Sequence, residues 1–397
     1  MKKNLVIFFV LATSLALNAL HKDINNLAKF DHIALFNSLV INEDQDLIEE
    51  FLNNGLTINA PIFDKDLTLL HMVCGASGDK SSLARFVIGK MADVNARGKS
   101  GKRPLHFACS KGNGIIVDLL LRSGGLINQT TDTGETPLHL ACQEGHAGIV
   151  VRLLQENNLM LDPRDDGDVT PLHDACSGGF FLVVEQLLNK GAAINSRNKE
   201  GATPLYLACQ KGHGSIISLL LNNGALELPD NVGFTPFYVA ISSGHVSVMR
   251  IFHQRKPNIL LEKILGQTPL FAAAQFGHAA TVEYLLLHNV EINEVDAESG
   301  STPLHVACLW GHKEVVKYLL RYGANTSLKA NGGATALDCA QVRNHGEIVK
   351  LFDQSRCRQC FADAQVLACG GCKKINYCNR ECQQKHWPIH KLICKKN

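Results

Sequence analysis

One four-residue pattern recurs nine times along this 397-residue chain, and nothing else in the sequence constrains the fold as tightly. The copies begin at Thr68 (TLLH), Arg103 (RPLH), Thr136 (TPLH), Thr170 (TPLH) and Thr203 (TPLY). They continue at Thr235 (TPFY), Thr268 (TPLF), Thr302 (TPLH) and Thr335 (TALD). Successive copies lie 35, 33, 34, 33, 32, 33, 34 and 33 residues apart. A period of this length marks a repeat array, in which each unit buries its apolar face against the next. With 46% hydrophobic and 19% charged residues the chain can build such a core, and global disorder is excluded.

Each unit reads as two short helices and a turn. Thr is a good N-cap, and the Pro after it fits a first helical turn that has no intrahelical N–H partner to lose. The apolar run that follows, as in Leu138, Leu140 and Ala141, predicts a short buried helix. It stops at Gly-His pairs such as Gly145-His146, Gly212-His213 and Gly311-His312. A second, amphipathic helix is predicted around Ile149, Val150, Leu153 and Leu154. It ends at Gly191-Ala192 or Gly224-Ala225 in other copies, where glycine supplies a left-handed cap. Polar turns such as Asp132-Thr133-Gly134 lead to the next unit.

On these residues the chain resembles the ankyrin-repeat family from Asp31 to Phe352 (residues 31–352), with about nine repeats and an N-terminal cap. Leu47, Ile48, Phe51, Leu52 and Gly55 read as the second helix of that capping repeat. The copy after Phe234 departs most, with Phe237-Tyr238 and a degenerate second helix around Arg250 to Lys256, so a loose repeat or a break is expected there. The resemblance implies a mostly α fold, an ankyrin-repeat α-solenoid with an extended concave face.

Six cysteines, Cys74, Cys109, Cys142, Cys176, Cys209 and Cys308, fall at one repeat position, six residues after the start of the tetrapeptide. Equivalent positions on packed helices lie roughly 8–10 Å apart, beyond the ~7 Å reach of a disulfide. They are expected as small buried thiols. His71, His106, His139, His173 and His305 recur with the same period, which predicts a structural hydrogen-bonding role.

The C-terminal cysteines follow another rule. Their spacing is Cys357-x2-Cys360-x8-Cys369-x2-Cys372-x5-Cys378-x3-Cys382-x7-His390-x3-Cys394. Eight thiolate or imidazole donors match two four-coordinate zinc sites, and so short a segment needs metal to fold. With Tyr377 before Cys378 and the run from Cys382 to His390, residues 357–394 resemble the MYND zinc finger. The resemblance implies a cross-braced finger with two structural Zn2+ ions. One would take Cys357, Cys360, Cys378 and Cys382, and the other Cys369, Cys372, His390 and Cys394; His386 has no metal role. Gln383 and Trp387 are the finger's expected partner contacts.

Residues 357–397 carry eight Lys or Arg against two acids, a net +6 within a chain of net +2. The finger nevertheless lacks the helix-borne base-reading residues of DNA-binding fingers, so proteins or peptides are the expected partners and nucleic acid is not. No catalytic residue is expected: the chain has no phosphate loop, nucleophile elbow or metalloprotease motif, and neither zinc has an open position. Some proteins with this finger are SET-type lysine methyltransferases, but Phe352 and Cys357 leave no room between them for that domain.

Residues 1–19 are signal-peptide-like. Lys2 and Lys3 precede an apolar run from Leu5 to Leu17, with Ser14, Ala16 and Ala19 as small residues for cleavage. An uncleaved membrane anchor is the alternative reading. The expected function is a non-enzymatic adaptor, the repeats gripping one partner and the finger another, exported or secreted through the N-terminal segment. Alternatives are an exported effector acting in a host cell, a cytoplasmic protein, and a ubiquitin-ligase-like component. In the ankyrin family the variable contacts lie in the turn before the tetrapeptide and just ahead of the Gly-His pair. Among the latter, Phe276, Leu309 and Trp310 stand out as apolar, which makes them the expected partner anchors.

Overall fold

A computed structural model describes residues 40–43, 45–53, 57–61, 67–98 and 100–352, with 367–368, 376–377 and 384 in the C-terminal segment. The chain divides into two compact units, Met1–Ala193 and Ile194–Asn397.

In the first unit a helix over Gln45–Asn53 buries Ile48 and stands where the capping helix is expected. Helix pairs follow at Leu69–Gly75 with Ser81–Gly89, Pro104–Lys111 with Gly114–Arg122, Pro137–Gln143 with Ala147–Leu153, and Pro171–Gly178 with Phe181–Asn189. The second unit repeats the plan at Pro204–Lys211 with Gly214–Asn222, Pro236–Ser242 with Val246–Arg255, Pro269–Gln275 with Ala279–Leu287, and Pro303–Leu309 with Lys313–Arg321. Its last pair is Ala336–Val342 with the single turn Gly346–Val349.

The start of each first helix has a local cause. Thr203, Thr235 and Thr268 place Oγ1 within 3.1–3.2 Å of the backbone N–H three residues on, which donates to it. Such a cap contributes about 1 kcal/mol. The core then forms between neighbours: Leu138, Val150, Leu153 and Leu172 in the first unit, and Leu270, Val282, Leu304 and Val316 in the second, are almost fully buried. Each such side chain contributes roughly 1.5–3 kcal/mol. Second helices end with Gly124, Gly191, Gly224 and Gly323 at positive φ near 87°, the left-handed cap expected of them.

Two further ladders tie repeat to repeat. Neighbouring turns share a backbone bond, as where Asp132 N–H donates to Ser100 O (3.0 Å) and Asn331 N–H to Ser299 O (3.0 Å). After several second helices an Asn or Asp accepts a backbone N–H of the following repeat. Asn95 takes Leu126 (2.8 Å), Asn128 takes Met160 (2.9 Å) and Asp162 takes Ala193 (3.0 Å) in the first unit; Asn195 takes Leu226 (2.8 Å) in the second. A bond of this kind adds on the order of 1 kcal/mol.

The copy after Phe234 is not loose, contrary to expectation. Its second helix runs unbroken over Val246–Arg255 and buries Val248, Met249 and Phe252, the last packed against Phe237 at 5.6 Å between ring centroids. The departure lies beyond it, where a 3-10 turn over Pro257–Leu261 replaces the glycine cap and buries Ile259 and Leu260. In the C-terminal segment two short strands, β1 (Leu367–Ala368) and β2 (Asn376–Tyr377), pair antiparallel with Leu367 opposite Tyr377. Among the described residues no helix is long and apolar enough to cross a membrane.

Candidate functional site

The recurring histidines are structural, and their protons can be placed. The backbone N–H of Thr136 donates to His139 Nδ1 at 3.0 Å, so that nitrogen keeps its lone pair and the proton sits on Nε2, which donates to Val169 O at 3.1 Å. His106 repeats the arrangement with Arg103 N–H (3.1 Å) and Gln129 O (2.9 Å), and His71 with Thr68 N–H (3.0 Å) and Ala96 O (3.0 Å). His305 spans Thr302 N–H (3.2 Å) and Ala334 O (3.2 Å). Each ring thus caps its own helix and holds the following turn. Burial lowers the pKa of His71, His139 and His305, and takes His106 down to about 4.

The Gly-His pairs do more than stop a helix. His312 Nε2 donates to Gln275 O of the preceding repeat at 2.9 Å, and His345 Nε2 to Leu309 O at 3.3 Å. The His312 ring lies so close over Gly277, at φ +80°, that a Cβ there would come within 2.5 Å of it. Glycine is therefore needed both for the left-handed turn and for the ring above it. The signal that could have revealed this was the pairing itself: a glycine that only ends a helix needs no histidine beside it.

The six periodic cysteines are buried and form no disulfide, and burial raises the Cys74, Cys109, Cys142, Cys176 and Cys308 thiols. Those five are protonated packing residues with no nucleophilic character. Asp174 breaks the pattern. It occupies the position that holds Leu140, Leu207, Val239 or Val306 in other repeats, and burial, then repulsion from Asp165 and Glu135, raises it to about 8.

Of the expected partner contacts, Phe276 is 46% exposed and Trp310 56% exposed, at the C-terminal ends of the first helices of adjacent repeats. Leu309 is half-buried. Val342, at the position of Leu309 one repeat on, is 78% exposed and was not anticipated. The corresponding positions of the first unit are polar or small: Gly75-Ala76, Ser110-Lys111, Gln143-Glu144 and Ser177-Gly178.

The expected metal ligands Cys357, Cys360, Cys369, Cys372, Cys378, Cys382, His390 and Cys394 lie outside the described residues, as do Gln383 and Trp387. The described backbone still bears on the site. β1 ends immediately before Cys369, and β2 ends immediately before Cys378, so the segment joining the two paired strands contains Cys369-Gly-Gly-Cys372. Thiolates and one imidazole on a short paired scaffold are the donor set that zinc takes.

Residues 105–198, 172–263 and 270–359 match the family described as Ankyrin repeats (3 copies), together more than half of the chain. Residues 357–394 match the MYND finger family. N-lysine methyltransferase SMYD2-B of Danio rerio is 58% identical over 40 residues, 10% of this chain and 9% of that protein, and the likeness is confined to the finger. Alpha-latrotoxin-Lg1a of Latrodectus geometricus is 34% identical over 83 residues, 21% of this chain and 6% of the toxin. The chain thus spans a tenth or less of the length of the curated relatives it matches. Among solved structures, the human ASB11 ankyrin repeat domain is 30% identical, with a TM-score of 0.47, covering 52% of this chain and 92% of that one.

Proposed function

We propose, from the premise that this chain belongs to the ankyrin-repeat family, that it is a non-enzymatic adaptor which holds two protein partners at once. Ankyrin repeats and MYND fingers are protein-interaction modules, and MYND fingers bind zinc. The observation that carries the finer reading is the exposure of Phe276 and Trp310 on adjacent repeats, with Leu309 between them in sequence and Val342 one repeat further on. Exposed aromatic side chains grouped in this way serve as interface anchors. The finger, holding two Zn2+ ions through its eight donors, takes a peptide segment of the second partner near Gln383 and Trp387.

The test uses the full-length chain and compares the proteins that co-purify with wild type, with Trp310→Ala and with Cys378→Ser. Two partners should separate, one lost with each variant. If both variants lose the same proteins, or neither loses any, the two-handed reading is wrong.

A second reading concerns placement. The Lys2-Lys3 start and the apolar run from Leu5 to Leu17 support export followed by cleavage. N-terminal sequencing of protein from its native host decides the matter, and a chain still beginning at Met1 in the cytosol would refute export.

A further inference from the structure

Away from these surfaces, a group of hydrogen-bond donors gathers on the second helices of two neighbouring repeats in the second unit. Arg250 and His253 lie three residues apart on Val246–Arg255. Tyr284 and His288 lie four apart across the end of Ala279–Leu287. Each pair therefore shares one helix face. The faces meet: the Arg250 guanidinium carbon lies 5.0 Å from the Tyr284 ring centroid, and His253 Nδ1 lies 2.9 Å from Tyr284 Oη. The His288 ring is 4.3 Å from that of Tyr284 and 4.7 Å, edge to face, from that of His253. His288 Nδ1 is 2.7 Å from the Tyr284 carbonyl oxygen. A carbonyl can only accept, so this nitrogen carries the proton and Nε2 is left for another group.

The charge here is one-sided. Val246–Arg255 contains no acid, and Glu283, the one acid of Ala279–Leu287, is hydrogen-bonded by Tyr318 instead. Arg250 enters none of the ion pairs found among the described residues. Burial, then His288, lowers His253, and no carboxylate acts on it. Arg250 and His288 are both exposed, so a ligand has access.

We infer that Arg250, His253 and His288 form a binding site for a phosphate dianion. The guanidinium offers paired N–H donors that match two oxygens of a tetrahedral oxyanion. With Tyr284 Oη donating to His253 Nδ1, the outward nitrogen of that ring carries a hydrogen and supplies a further donor, and His288 Nε2 joins the anion through a bridging water. A metal cation, which two neighbouring imidazoles would otherwise suggest, is disfavoured by the adjacent guanidinium charge. The dianion comes either as free phosphate or on a phosphorylated side chain of a partner.

The experiment follows the imidazole signals of the full-length protein by NMR, with His253→Gln and His288→Gln giving the assignments. Inorganic phosphate and a short phosphoserine peptide are titrated separately, against chloride at matched ionic strength. The site requires saturable shifts of His253 and His288 that leave the buried His139 and His305 unmoved. Affinity should fall about tenfold in Arg250→Gln, as loss of one charged hydrogen-bonding group implies, and less in Arg250→Lys. Tighter binding of the peptide identifies a protein-borne phosphate, and equal binding the free ion. Shifts no larger than with chloride, or an unchanged affinity in folded Arg250→Gln, would overturn the assignment.

Discussion

The repeat Thr302–Ala334 and the finger Cys357–Cys394 are of similar length, 33 and 38 residues, and neither could fold alone on an apolar core. The repeat obtains its core from neighbours. Leu304, Val306, Ala307, Cys308, Val315, Val316, Leu319 and Leu320 are all buried, and His305 ties the helix start to Ala334 beyond. The finger has no such lattice in its sequence and carries seven Cys and two His within its 38 positions instead. A module that stacks can rely on many weak, repeated contacts, whereas a module that stands by itself concentrates its stability in a few strong bonds. The two should therefore fail under different insults.

Removing zinc gives the largest separation. Structural zinc contributes on the order of 10 kcal/mol or more to so small a domain, so chelation, or Cys378→Ser, should unfold the finger completely. The helical circular dichroism and melting temperature of the array should hardly change, because among the described residues no cluster of His, Cys, Asp or Glu is arranged to hold a metal ion. A fall in the array's melting temperature on chelation would show that the two regions support each other.

Acid should separate them in the opposite sense. His71, His106, His139 and His305 are held neutral by burial, with folded pKa values below the unfolded ~6.5, so the stability they contribute is present above pH 6.5 and is lost as pH falls toward the folded values. For His106, lowered to about 4, the loss over that window is roughly 3 kcal/mol. The array's melting temperature, followed from pH 7.5 to 4.5 with the finger already emptied by chelator, should drop steeply below pH 6.5. His106→Gln should flatten part of that slope, and a slope identical to wild type would remove the histidine account.

How much of this was legible in the sequence differs between the regions for physical reasons. In the array, period and capping chemistry are local, so Thr136, Pro137 and Gly191 marked their elements directly. Which neighbour a side chain reaches is not local. The Asn95, Asn128, Asp162 and Asn195 series recurs every 33 or 34 residues and was visible as a period, yet its bond to the next repeat requires the stacked geometry. The second helix after Phe234 looked degenerate because Arg250, His253 and Arg255 interrupt the apolar pattern. Three well-placed residues, Val248, Met249 and Phe252, were enough to bury its inner face. In the finger, residue type and separation point to metal ligation, and the eight expected donors lie outside the described residues.

Asp174 tests whether the array is as uniform as its period suggests. Its folded pKa of about 8 lies above the unfolded ~3.9, so it favours the fold only at low pH, and that contribution is lost as pH rises between those values. At pH 7 the folded state must hold this carboxyl protonated, at a cost of order 2–4 kcal/mol. Asp174→Leu, which restores the residue type of Leu140, should raise thermal stability at pH 7 by about 2 kcal/mol and have less effect near pH 4. Equal stabilisation at both pH values would mean that packing, and not charge, is responsible.

The smallest effect on stability is expected from Trp310→Ala, only six residues from the buried Leu304. Leu304→Ala empties a filled position and should cost about 2–5 kcal/mol. Trp310 is 56% exposed and its backbone N–H is already satisfied by Val306 O at 3.0 Å, so its truncation should stay within about 0.5 kcal/mol. Binding should respond in reverse. Loss of an aromatic anchor costs ~2 kcal/mol or more, about thirtyfold in affinity, whereas Leu304→Ala should leave affinity unchanged wherever the array remains folded. Measuring melting temperature and partner affinity for both variants in the full-length chain places the two residues on opposite axes. A large stability loss for Trp310→Ala that is reproduced by deleting residues 353–397 would instead assign the indole to packing against the finger, and the two regions would no longer be independent.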